Sequence, residues 1–151
     1  MDPRTTSHLA LWKEARTRFT KLLDTLAATD LTKKLAPGPN SIGFLMRHIG
    51  DVELLFAKNV FGLEGVQVHA STVAKGYDTG EWTDMAALTA YVQESADTLQ
   101  RAIEAQSDAD WDTVIETKEF GKKTKAEALG RITTHTAYHA GQIGMLVRYG
   151  S

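Results

Sequence analysis

The chain is expected to fold as an all-α four-helix bundle, and three observations point there. Four segments repeat apolar residues at three- and four-residue steps, which gives a helix one buried face. Those segments are bounded by residues that start and stop helices. With 151 residues, 42% of them hydrophobic and 24% charged, the chain is long enough to bury a core without disulfides. Helices of this kind cover their apolar faces by packing on one another. Residues 1–151 are expected to form a single domain.

The first helix is expected from about Pro3 to Ala28. Asp2 stands where an N-cap belongs. Pro3 suits the first helical position, where its missing N–H would have had no partner. Leu9, Trp12, Phe19, Leu22, Leu23 and Leu26 form the buried stripe. Two prolines and a glycine in Ala36-Pro37-Gly38-Pro39-Asn40 then break the chain. The second helix is expected from about Ser41 to Phe61, capped by Asn40 or Ser41 and ended by Gly62. Ile42, Leu45, Ile49, Val52, Leu55 and Phe56 define its stripe, and His48 sits inside it.

Residues 63–82 are the least regular part and contain Gly65, Gly76 and Gly80. A structureless connection this long is uncommon in a compact domain, so it either crosses over along the bundle or covers a site. The third helix is expected from about Thr83 to Gln106, with Thr83 as cap and Leu88, Tyr91, Val92, Leu99 and Ile103 as stripe. Ser107 to Asp112 reads as a turn or short helix. Thr113 to Lys123 reads as a small hairpin, with strand-forming Val114 and Ile115 and with Gly121 for its turn. The fourth helix opens on a capping box, Thr124-Lys125-Ala126-Glu127, and runs to about Tyr149. Leu129, Ile132, His135, His139, Ile143 and Leu146 share its inner face.

Composition removes several kinds of function. A net charge of −2 supplies no basic face for nucleic acid or an anionic membrane. The absence of cysteine excludes disulfides, thiolate ligands and a cysteine nucleophile. No segment has the apolar run of a signal peptide or of a membrane span, so a cytoplasmic location is expected.

The chemistry of the chain is carried by histidine. His135 and His139 are four residues apart, which stacks their side chains on one helical face and lets both reach one metal ion. His48 lies on the inner face of another helix, and a bundle can bring all three together. Three imidazoles without a fourth protein ligand leave a position for water or substrate. The plainer alternative is three packed histidines satisfied by hydrogen bonds. A zinc peptidase is excluded, because its motif needs glutamate after the first histidine and Thr136 stands there.

His135-x-x-Tyr138-His139-x-Gly141-Gln142-Ile143, together with His48, resembles the DinB/YfiT-like family. The resemblance covers most of the chain. It implies a four-helix bundle of the DinB/YfiT-like type, with unusual connectivity and a long connection between helices two and three. It also implies a homodimer, and a divalent metal ion, nickel or zinc, held at His48, His135 and His139. Relatives include transferases and isomerases that depend on low-molecular-weight thiols. The leading expectation is therefore a metal-dependent transferase that activates such a thiol on a small-molecule substrate. The alternatives are a metal-dependent hydrolase using metal-bound water and a non-catalytic metal- or ligand-binding bundle.

Further residues carry expectations of their own. Gln142 and Asp51 are candidates to orient the imidazoles, weighed against an interhelical hydrogen bond for Gln142 and a solvated position for Asp51. Tyr138 is expected to pack, and His8 and His69 to be solvated. Gly141, Gly144 and Ala137 form a small-residue patch in the fourth helix, expected to pack closely on another helix or on a second copy of the chain. Lys118, Lys122, Lys123 and Lys125 are expected to be a solvated group.

Overall fold

The structure, a computed structural model, describes residues 1–151. Helix α1 spans Pro3–Leu23, with proline in its first turn. Asp2 occupies the N-cap position without capping; its carboxylate accepts the Asp108 N–H at 3.0 Å instead. The helix stops short of Ala28 because local polar groups capture the backbone there. The Thr25 hydroxyl donates to the Leu22 carbonyl, and the Asp30 carboxylate accepts the Ala27 N–H at the start of a 3-10 turn, Ala28–Asp30. Helix α2 spans Ile42–Asn59, and Ser41 Oγ caps it by accepting the Phe44 N–H at 3.2 Å. Gly62 follows at φ +72°, a left-handed conformation that turns the chain away.

The connection after α2 is not structureless. It carries a one-turn helix, α3, at Ser71–Lys75. Helix α4 spans Met85–Glu104, and its cap is Asp84 rather than Thr83. The Asp84 carboxylate accepts the Ala87 N–H at 3.0 Å, and a negative group suits the positive end of a helix better than a hydroxyl does. Strands β1, Val114–Thr117, and β2, Gly121–Thr124, pair antiparallel, with Gly121 at φ +71° beginning the second. Helix α5 spans Lys125–Tyr149 and has the full capping box: Glu127 N–H to Thr124 Oγ1 at 3.1 Å, Thr124 N–H to Glu127 Oε2 at 2.8 Å.

The long helices α1, α2, α4 and α5 form the bundle, in which α2 packs on α4 and α5, and α1 packs on α5 and α4. Their directions follow from which residues share the two halves of the core. Leu9, Trp12, Leu54, Leu99, Ile103, Leu129 and Ile132 meet at one end; Phe19, Ile42, Leu45, Leu88, Val92, Ile143 and Leu146 meet at the other. Thus α1 runs parallel to α5, α2 runs parallel to α4, and the two pairs oppose each other. Parallel neighbours cannot be joined by a tight turn. An 18-residue α2 is about 27 Å long, and the chain must travel back that distance before α4 begins. The long connection is therefore a crossover.

A buried ion pair ties three of these helices together. Arg16 of α1 donates to both carboxylate oxygens of Glu53 in α2, at 2.9 and 3.1 Å, and to the Val92 carbonyl of α4 at 2.9 Å. The Ser95 hydroxyl donates to Glu53 at 2.7 Å. Glu53 is wholly buried, so these donors replace the water it lost. No helix is long and apolar enough to cross a membrane.

Candidate metal centre

His48 on α2 and His135 and His139 on α5 come together at the α2–α5 seam. One ring nitrogen of each lies within 4.8 Å of the others, and Nε2 of His48 is 3.2 Å from Nε2 of His135. The helical step stacks His135 and His139 with ring centroids 4.5 Å apart, and the His48 ring lies 4.9 Å from that of His139. All three are half-buried. None of the three is sealed from solvent.

Two of the rings are fixed by partners on the side away from the cluster. His48 Nδ1 lies 3.1 Å from Thr72 Oγ1, and that hydroxyl donates to Asp51 Oδ2 at 2.6 Å. The Thr72 hydroxyl has one proton and gives it to Asp51, so His48 Nδ1 must carry the proton of its own bond, leaving Nε2 as a free lone pair. Asp51 also accepts from Arg47 Nε at 2.9 Å, the Tyr91 hydroxyl at 2.6 Å and the Thr72 N–H at 3.0 Å. His139 Nδ1 donates to Gln142 Oε1 at 2.6 Å, which frees its Nε2 in the same way. His135 Nδ1 is buried with no partner.

Electrostatics keep the cluster neutral. Burial, followed by the neighbouring imidazoles, lowers His48 to about 4 and His135 to about 3, and burial also lowers His139. Neutral imidazole is the form that donates a lone pair to a metal ion. Desolvation and the bond to Asp51 push the half-buried Tyr91 phenol well above its ordinary value, so it stays a donor.

The residues fit a divalent metal ion. Two nitrogens each 2.0–2.1 Å from a tetrahedral ion stand roughly 3.3 Å apart, close to the 3.2 Å between His48 and His135. Three neutral nitrogen donors without a thiolate suit zinc, nickel, iron or copper. The hydrogen bonds behind His48 and His139 are the kind that fix ligand tautomers in metal sites. The cluster has the capacity to hold one divalent ion and supports a metal-dependent role, catalytic or binding.

Asp51 is buried rather than solvated, and it reaches His48 through Thr72 rather than directly. Gln142 bonds His139 rather than a neighbouring helix. Tyr138 does not pack in the core; it is 65% exposed, with its ring edge-on to His139. His8 is partly buried, stacked on Trp111 at 4.4 Å, whereas His69 is exposed and offers only its carbonyl, to Arg47. The patch around Gly141 and Gly144 meets no helix of this chain: a Cβ at either glycine would have nothing within 4 Å. Lys125 donates to Gln106 Oε1 at 2.8 Å and so leaves the solvated group. Thr72, Tyr91 and the Arg16–Glu53 pair were not anticipated as parts of the site or its support. The one legible signal was Arg16, a charge standing four residues after Trp12 and three before Phe19 in an otherwise apolar stripe.

Residues 11–143 match the family model described as the DinB superfamily. No curated protein matches the sequence. Among solved structures, the chain is similar to a mycothiol-dependent maleylpyruvate isomerase, with a TM-score of 0.70 and 16% identity over 93% of this chain. It spans only 60% of that protein's length. It is similar to YfiT from Bacillus subtilis, described as a probable metal-dependent hydrolase with an unusual four-helix bundle topology. There the TM-score is 0.71 and the identity 14%, over 98% of this chain and 89% of the other. A conserved protein from Enterococcus faecalis gives a TM-score of 0.66 and 17% identity over 99% and 97% of the two chains.

Proposed function

The chain belongs to the DinB superfamily, and from that premise we propose that it is a metal-dependent hydrolase acting on a small molecule. In this reading His48, His135 and His139 hold one divalent ion, zinc or nickel, and residues 1–151 work as one domain. The observation that carries it is the convergence of three ring nitrogens within 4.8 Å, with His48 and His139 each bonded at Nδ1, which leaves Nε2 as the free lone pair. The likeness to a probable metal-dependent hydrolase over 98% of the chain supports hydrolysis as the first activity to assay.

When bound, the ion would supply Lewis acidity, lowering the pKa of a water or thiol and polarising a substrate oxygen. The protein's own residues bind and orient. Thr72 and Asp51 hold the His48 ring, Gln142 holds the His139 ring, and burial keeps the imidazoles unprotonated at neutral pH. Asp51 already accepts four donors, so its oxygens are committed to holding the fold around His48. Glu53 is held by Arg16 and Ser95 in the same way.

A second reading is a thiol-dependent transferase, favoured by the fold shared with a mycothiol-dependent isomerase and by a chain that has no cysteine of its own. A homodimer belongs to either reading through the family. Elemental analysis of tag-free protein beside a His139→Ala variant tests the ion: near-stoichiometric metal, sharply reduced in the variant, is expected. No metal even after reconstitution with zinc or nickel would refute it. Activated esters and amides, assayed against an electrophile plus a low-molecular-weight thiol, then separate hydrolase from transferase.

A further inference from the structure

A cavity of about 500 Å³ lies against the α2–α5 seam, one helical turn from the histidines. Leu45 and Leu146 lie at its buried side, and Tyr138, Gly141, Gln142 and Met145 form the α5 wall. The turn around residues 35–40 closes the opposite side. Its position follows from helical spacing. Leu45 precedes His48 by three residues, and Gln142 follows His139 by three, so each wall residue shares a face with a histidine of the cluster. The two helices run in opposite directions, which sends both steps toward the same end of the bundle. Gln142 belongs to both places: its Oε1 accepts the His139 Nδ1–H, and it lines the cavity.

The lining has no charged side chain; its polar groups are amides and a phenol. Tyr138 and Met145 remain 65% and 52% exposed although both are large and apolar in body. The α5 wall is interrupted at Gly141, where a Cβ would meet nothing within 4 Å. Glycine in a helix interior costs about 1 kcal/mol against alanine. Here its effect on the fold is to leave the cavity wide. A volume of this size is in the range that holds small organic ligands, and uncharged apolar walls with a few amide groups select neutral molecules.

We propose that this cavity is the specificity pocket of the histidine site, and that it takes the uncharged aryl or alkyl group of the substrate, with Gly141 setting the size admitted. The proposal rests on the hydrolase reading for the word substrate, but the binding it requires does not depend on a metal ion. A neutral fluorophore, N-phenylnaphthylamine, can be titrated against the native protein and compared with anilinonaphthalenesulfonate, which has the same skeleton and a negative charge. The neutral probe is expected to bind and the sulfonate to bind about tenfold or more weakly. A Cβ at Gly141 meets nothing within 4 Å, so Gly141→Leu starts a side chain on the cavity wall without displacing a neighbour there and is expected to fold. It should weaken the neutral probe about tenfold or more while leaving metal content unchanged. Gly141→Ala should fall between.

His135→Ala separates the two ideas, since it is expected to lose metal and keep the probe. A native protein that binds metal but not the neutral probe would overturn the pocket and leave the metal reading intact. Equal affinity of the probe for native protein and a folded Gly141→Leu variant would overturn it too. So would a Gly141→Leu variant whose only change is to dissociate a dimer, because the face would then belong to a second copy of the chain.

Discussion

Thr72→Val removes one hydroxyl from the crossover and nothing else of the same size. Thr72 is 2% exposed, and its hydroxyl stands between His48 Nδ1 and Asp51 Oδ2 at 3.1 and 2.6 Å. Valine leaves Oδ2 with the Thr72 N–H alone, and leaves His48 Nδ1–H facing a methyl group. A hydrogen bond to a charged group contributes about 1.5–3 kcal/mol, and an unsatisfied buried donor costs about 1–3 kcal/mol. The metal-free variant should therefore lose about 2–4 kcal/mol, read as a lower urea midpoint with an unchanged slope. The His48 ring also loses the partner that fixes its tautomer, and removing such partners weakens metal binding by about 10–100-fold. Zinc affinity, measured by competition with a chromophoric chelator, should fall by that factor. An affinity within about twofold of native would refute the relay as the device that aims His48.

Other outcomes follow from the same contacts. Arg16→Met leaves Glu53 buried without its cation and should cost about 3–5 kcal/mol in urea denaturation; a loss under 1 kcal/mol would show that Ser95 and water suffice. Stability of the metal-free protein should fall as pH drops. The unfolded histidines take up protons near 6.5, while the folded His48 and His135 resist until about 4 and 3, so the unfolded state gains protons first between those values. The urea midpoint should be highest above pH 6.5 and decline toward pH 4, and a midpoint that rises on acidification would contradict buried neutral imidazoles. Gly43→Ala should destabilise by about 2–3 kcal/mol, because its Cβ would collide with the Trp82 carbonyl. Gly130→Ala, with nothing within 4 Å, should stabilise by about 0.5–1 kcal/mol. Thermal melts that rank these two in the reverse order would reject the packing account.

Local signals explain which parts of this fold are legible without coordinates. The capping box at Thr124 and Glu127 is complete within four residues, and it formed as expected. The period of the apolar residues located all four long helices, because burial on one face is written at every turn. The histidine pair on α5 needed only helical spacing. The rest depended on partners far away in sequence. Asp51 looks like any surface aspartate until Thr72 and Tyr91 arrive to bury it. The glycines drew attention to the wrong helix: Gly141 and Gly144 face open space, while Gly43 and Gly50 of α2 lie under the Trp82 backbone and the Tyr91 ring. Nothing within α2 announces those neighbours. The end of α1 was overrun for a related reason, since its apolar period continues through Leu26 while Thr25 and Asp30 divert the backbone.

The separation of 87 residues between His48 and His135 also sets an order of events. A nascent α5 already presents His135 and His139 to a metal ion, because their spacing is local. His48 joins only after α2 docks on α5, and that closure carries the entropy of a long loop. In the proposed site full affinity would therefore appear late in folding, and an ion would not be captured at full strength by a chain that is still open. Metal loading would then serve as a clock: its rate, followed from denaturant into zinc-buffered solution, reports when the two halves of the chain first meet.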